Sequence, residues 1–192
     1  MGKERLLAFT DGVLAIVITI MVLELKAPHE ATFEALSEML PIFLSYVLSF
    51  IYIGIYWNNH HHMFQLVERV NGAMLWANLA LLFTLSIIPF TTAWMDETHA
   101  ATAPVALYGV TLLLPGIAYY ILQIVTIRAQ SDAALKTAVG RDLKGKLSPL
   151  LYVIGIALAF VTPWAAIATY ILVALIWLVP DRRIERHLAT NG

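Results

Sequence analysis

The chain has 192 residues, 60% of them apolar and 13% charged, with a mean hydropathy of +0.77 and a net charge of −1. Soluble domains carry about 25% charged residues, so a water-solvated fold around one core is excluded, and lipid must be the solvent for much of the surface. Cysteine is absent, which excludes a disulfide framework, a thiolate metal site and a thiol nucleophile.

A bilayer core requires about 20 predominantly apolar residues per helix. The first such stretch runs from about Leu6 to Leu25, the second from about Leu40 to Trp57, and the third from about Ala73 to Met95. The fourth covers about Pro104 to Ile127. The last two, about Pro149 to Val161 and Trp164 to Val179, are separated by Thr162-Pro163. Proline opens a helix well because its missing N–H has no partner there anyway, so Thr162-Pro163-Trp164 reads as the tight turn of a helical hairpin. The polar segment from Arg128 to Lys146 reads as a cytoplasmic connector, either with a short interfacial helix or, as its composition favours, a solvated linker.

Basic residues test this count, because they concentrate on the cytoplasmic side. With a cytoplasmic N-terminus and six crossings, the inner segments hold Lys3, Arg5, Arg69, Arg128, Lys136, Arg141, Lys144, Lys146, Arg182, Arg183 and Arg186, and the outer segments only Lys26. Five or seven crossings scatter them. The expected architecture is an all-α integral membrane protein, one six-helix domain over residues 1–192 with both termini cytoplasmic. A cleavable leader is the rival reading of the first stretch; Asp11 within the run and the lack of a small-x-small cleavage site argue against it. No internal repeat is evident, so a pore on a central axis requires several copies of the chain.

The first stretch carries the functional signal. Ionisable groups inside a membrane helix are costly, which makes them functional candidates. Arg5 and Glu24 lie near its ends, where long side chains snorkel, whereas Asp11 lies about two turns in and needs donors from neighbouring helices. At 100° per residue, Arg5, Phe9, Gly12, Ile16, Thr19, Ile20 and Leu23 form one broad stripe. Asp11 points well away from it, toward a role as anchor to the second and third helices, and Thr10 lies on the opposite flank. From composition alone the stripe reads as an ordinary packing seam.

The run Arg5, Phe9, Thr10, Asp11 resembles the Arg-x-x-x-Phe-Ser/Thr-Asp signature of the lysosomal potassium channel family, transmembrane protein 175, with threonine keeping the usual serine hydroxyl. Tyr56-Trp57-x-x-His60-His61 resembles the same region of its bacterial members. The resemblance implies a non-canonical channel in which first helices line the pore and no carbonyl filter exists. It implies a homotetramer in a bacterial plasma membrane, since animal members carry two six-helix units per chain and this chain carries one. It maps the narrowest isoleucine ring to Ile16, further apolar rings to Ile20 and Leu23, and a hydroxyl ring to Thr19. All four fall on the stripe derived from geometry, which turns the reading from seam to pore. A position sometimes occupied by serine in the family is Ala15 here, which implies weaker selectivity.

The function that follows is a leak-type potassium channel, with potassium as permeant ion and lipid as its surroundings. No enzyme activity, bound cofactor, metal or nucleic acid is implied. An apolar ring gives an ion no ligands, so the ion must keep its waters or lose them uncompensated; sodium holds water more tightly, and Thr19 hydroxyls replace some of what potassium loses. Glu24, Glu30, Glu34, Glu38, Asp96 and Glu97 place negative charge at the outer side, where it concentrates cations or merely solubilises the loops. His60, His61 and His62 are consecutive and point 100° apart, unlike an i, i+4 metal pair; Trp57, His60 and His61 are instead the expected partners of Asp11 or Arg5. Pro89 and Pro115 fall within the third and fourth helices, and Gly54, Gly109, Gly116 and Gly155 read as close-contact positions. The alternative is a secondary transporter, whose inverted repeats and broken helices are not apparent, or another membrane-embedded protein without channel activity.

Overall fold

In lipid, a backbone must satisfy its own N–H and C=O groups, so apolar runs of this length are driven into helices. The structure, a computed structural model, describes residues 2–130 and 143–178, and every regular element in that range is α-helical. In chain order they are α1 (Lys3–Leu23), α2 (Phe33–Glu38), α3 (Leu40–Gln65), α4 (Gly72–Ser86), α5 (Ile88–Glu97), α6 (Thr102–Ala129), α7 (Leu143–Ala159) and α8 (Pro163–Leu178). Four stretches are long and apolar enough to cross a bilayer: Lys3–Leu23, Leu40–Gln65, Gly72–Glu97 and Thr102–Ala129. Leu147–Ala159 and Pro163–Leu178 are shorter apolar helices.

Several expected boundaries need correction. α3 does not stop at Trp57 but continues through the polar residues to Gln65, because His60, Met63 and Phe64 are buried there and packing extends the helix past its apolar run. The third stretch is two helices. Pro89 is not internal to a helix; it sits in the first turn of α5, where its missing donor is harmless. α7 begins at Leu143 rather than Pro149 and carries that proline inside. Hydropathy gave no sign of α2, whose six residues are capped by the Thr32 hydroxyl accepting from the Ala35 N–H at 3.2 Å. The turn between α7 and α8 falls where the Thr162-Pro163 signal put it. Most of the Arg128–Lys146 connector, the end of the sixth stretch at Val179, and the basic residues Arg182, Arg183 and Arg186 lie outside the described residues.

Two apolar clusters hold the bundle. One gathers α1, α3, α4 and α6 around Leu14, Ile53, Phe64, Met74, Leu85 and Leu122. The other gathers α3, α6, α7 and α8 around Tyr52, Tyr108, Leu112, Tyr152, Tyr170 and Val173. Tyr170 is the wedge of the second cluster. Its ring meets Tyr108 edge-on at 5.9 Å between centroids, and its hydroxyl donates to the Val105 carbonyl at 3.3 Å.

Gly109 on α6 and Gly155 on α7 leave the room this ring occupies: a Cβ on either would strike Tyr170, and one on Gly109 would also lie 2.7 Å from Ile156 Cγ1. Gly54 does not follow this pattern, since a Cβ there would meet nothing within 4 Å. Overpacking of this kind costs about 1–3 kcal/mol. Gly109→Ala is therefore expected to lower the melting temperature in detergent, and adding Tyr170→Phe, which removes the obstructing hydroxyl, is expected to recover part of the loss. An unchanged melting temperature for Gly109→Ala would mean that the ring moves aside freely.

Candidate pore-lining helix and its anchors

α1 is two-faced although nearly all of its length is apolar. Leu6, Thr10, Leu14, Val17 and Met21 recur every three or four residues and are buried against the rest of the chain, chiefly α3, α4 and α5. The opposite stripe of Arg5, Phe9, Gly12, Ile16, Thr19, Ile20 and Leu23 is exposed along its whole length. Ile16 is 59% exposed and Leu23 79%. Ile16, Ile20 and Glu24 form one wall of an open groove whose other wall comes from Ser86, Pro89, Phe90 and Trp94. The Thr19 hydroxyl donates to the Ile16 carbonyl at 2.9 Å, within its own helix. That bond spends the proton and leaves the oxygen able to accept or to ligate a cation.

Thr10 and Asp11 are adjacent, so their side chains diverge by 100° and reach different helices. The Trp57 indole N–H donates to Asp11 Oδ1 at 2.9 Å. The Trp57 ring stacks on His61 at 6.0 Å, and His61 Nε2 accepts from the Gln65 carboxamide at 3.0 Å. On the buried side, Asn78 Nδ2 of α4 donates to the Thr10 hydroxyl at 2.9 Å. Asn78 Oδ1 lies 2.8 Å from His60 Nε2, so that nitrogen carries the proton and donates. His60 is clamped from its other side by Phe64, ring on ring at 4.4 Å. Thr10, Asn78 and His60 are all buried.

α1 is thus tied to α3 through Asp11 and Trp57, and to α4 through Thr10 and Asn78, while His60 ties α3 to α4. The three helices are triangulated at one level, which fixes the rotation of α1 and hence the direction of its exposed stripe. Arg5 and Phe9 stand on that stripe rather than in the network.

Two polar groupings escaped the sequence reading. Asn78 is one: a carboxamide within an apolar helix demands partners as surely as a charge does. The other is a seam joining α3, α5 and α6. There Ser49 meets Thr92 and Tyr108 at 2.8 Å each, Thr91 meets Thr111 at 2.9 Å, and the Ser45 hydroxyl donates to Asp96.

Comparison with known proteins places this geometry. Residues 5–89, which hold nearly all of α1 and the whole of α3 and α4, match the family described as endosomal/lysosomal potassium channel TMEM175. A potassium channel from Chryseobacterium sp. strain P1-3 is 55% identical over 192 residues, covering 100% of both chains. The chain belongs to the TMEM175 family of potassium channels. A potassium channel from Streptomyces collinus is 32% identical over 187 residues, covering 89% of each chain. A crystal structure described as a lysosomal potassium-selective channel TMEM175 homologue from Chamaesiphon minutus superposes with a TM-score of 0.74 at 29% identity, over 99% of this chain and 98% of that one. The TMEM175 family is one of ion channels, not of enzymes. Every side chain of the α1 network falls within the segment that matches it.

Proposed function

We propose that four copies of this chain form a potassium-selective leak channel in a bacterial plasma membrane, with the exposed stripe of α1 as the wall of the permeation path. In this reading residues 1–192 form one six-helix domain. α7 and α8 supply the last two crossings, and both termini face the cytoplasm. The apolar part of α7, Leu147–Ala159, is about 20 Å long and α8 at 16 residues about 24 Å, both shorter than a bilayer core of about 30 Å, a mismatch met by local thinning of the membrane. The channel holds no bound cofactor; potassium is its permeant ion and lipid its surroundings.

The observation that carries this reading is the orientation of α1. Its own chain buries the Leu6–Met21 face and leaves Ile16, Thr19, Ile20 and Leu23 unpartnered on the far side. Four such stripes meeting on an axis form stacked rings. The Ile16 ring offers no ligand, so a cation crosses it with its waters or after losing them without compensation. Sodium binds water more strongly than potassium and is held back more. One turn on, Thr19 hydroxyls point their protons at the Ile16 carbonyls, so their oxygen lone pairs are available to replace water. Glu24 at the end of the stripe favours cations over anions. Thr10, Asp11, Trp57, His60 and His61 act on permeation only through the aim of α1.

The test is potassium flux from liposomes containing the purified chain, driven by a potassium gradient. Conductance without any counter-substrate supports the channel; dependence on a counter-substrate would support a transporter. Thr19→Val preserves shape and deletes the oxygen, so the potassium/sodium permeability ratio is expected to fall. An unchanged ratio would remove Thr19 from the filter.

A further inference from the structure

Between the end of α1, the start of α3 and the length of α5 lies a recess of about 190 Å3 that opens to solvent, smaller than drug-sized sites of about 300–1,000 Å3 and suited to one small organic molecule. Met21, Leu25, Met39, Ile42, Pro89 and Ala93 make its walls apolar, and Tyr46 adds an aromatic side. Glu24, Asp96 and Glu97 line the same space together with Lys26 and His99. With histidine neutral, three carboxylates against one ammonium leave it two negative charges.

These charges differ in how firmly they are held. Asp96 is fixed by the Ser45 hydroxyl. Glu97 meets Lys26 at 3.8 Å between largely exposed side chains, a pairing worth little and easily displaced. Among the described residues no three His, Asp or Glu side chains stand close enough together to hold a metal ion. The negative field is therefore spread along an apolar, partly aromatic hollow, which complements an organic ammonium: a diffuse charge on a bulky greasy body.

We propose that this recess binds an amphipathic organic ammonium, its head between Asp96 and Glu24 and its apolar body against Ile42, Pro89 and Ala93, and that occupancy restrains the end of α1 and slows potassium flux. The binding stands by itself; the effect on flux rests on α1 lining the pore.

The full chain in lipid nanodiscs, titrated calorimetrically with benzyltrimethylammonium, tests the binding. One ligand per chain is expected. Asp96→Asn and Ala93→Leu, the second filling the recess while sparing every carboxylate, should each weaken it about tenfold, or about 1.4 kcal/mol. Tetramethylammonium, which has the charge without the body, and neopentylbenzene, which has the body without the charge, should fall equally short. Absence of saturable binding overturns the site. So does one ligand per four chains with indifference to Ala93→Leu, the signature of entry into a pore. In liposomes, benzyltrimethylammonium should slow potassium flux through the unmodified chain and not through Ala93→Leu. Binding with unchanged flux overturns the restraint of α1, whereas absence of flux before any ligand is added counts against the channel itself.

Discussion

Ile16→Asn is expected to produce a channel that passes sodium readily, with a higher total conductance and a potassium/sodium permeability ratio lowered about tenfold, equivalent to about 1.4 kcal/mol of lost discrimination. Ile16 is the proposed constriction, one turn before Thr19 and on the face of α1 that its own chain leaves exposed. An asparagine there is no larger, but its carboxamide donates and accepts hydrogen bonds. A ring of four would hold water where isoleucine expels it, and the ion would cross without shedding its shell. The discrimination that depends on dehydration would go with it.

Stability should change little, because a side chain 59% exposed within its own chain contributes little to the fold of that chain. That separates the prediction from general damage: melting temperature preserved, selectivity lost. Reversal potentials under paired potassium and sodium gradients measure it. If both reversal potential and conductance match the unmodified channel, Ile16 is not the constriction.

What was legible in the sequence follows from which physical constraints are local. Helix existence was legible because an apolar run in lipid has few other options, and the direction of the α1 stripe was legible because helical geometry needs only residue numbers. The partners of Asp11 were narrowed to Trp57, His60 and His61, but choosing among them required the register of α3 against α1, which no local pattern encodes. The structure gives Trp57 to Asp11 and sends His60 to Asn78 instead. Helix ends were read worst. The α3 terminus at Gln65 is set by burial of Met63 and Phe64 against other elements, not by hydropathy. The break at Ile87 comes with Pro89 in the first turn of the following helix, whereas hydropathy runs unbroken across it. Asn78 carries no charge to mark it within its apolar run, although an uncharged carboxamide in an apolar helix needs hydrogen-bond partners just as firmly.

Asn78 is also where the largest loss of stability is expected. Asn78→Leu keeps the same branching and number of heavy atoms yet strips Thr10 of its donor and His60 of its acceptor, and both are buried. A buried polar group left without a partner costs about 1–3 kcal/mol, so two of them amount to on the order of 2–6 kcal/mol, a large share of a typical stability of about 5–15 kcal/mol. The asymmetry of hydrogen bonding supplies the control. If the loss comes from stranded partners rather than from missing contacts, then removing those partners must restore stability: the triple variant Thr10→Val, Asn78→Leu, His60→Phe should be more stable than Asn78→Leu alone, the reverse of additive damage. Equilibrium unfolding of the three single variants and the triple decides it. A triple variant at or below the least stable single would show that the network's worth lies in its contacts and not in its mutual satisfaction. Because the same three side chains set the rotation of α1, Asn78→Leu should also broaden the range of conductances seen at one potential, while Gly109→Ala, also destabilising but remote from α1, should not.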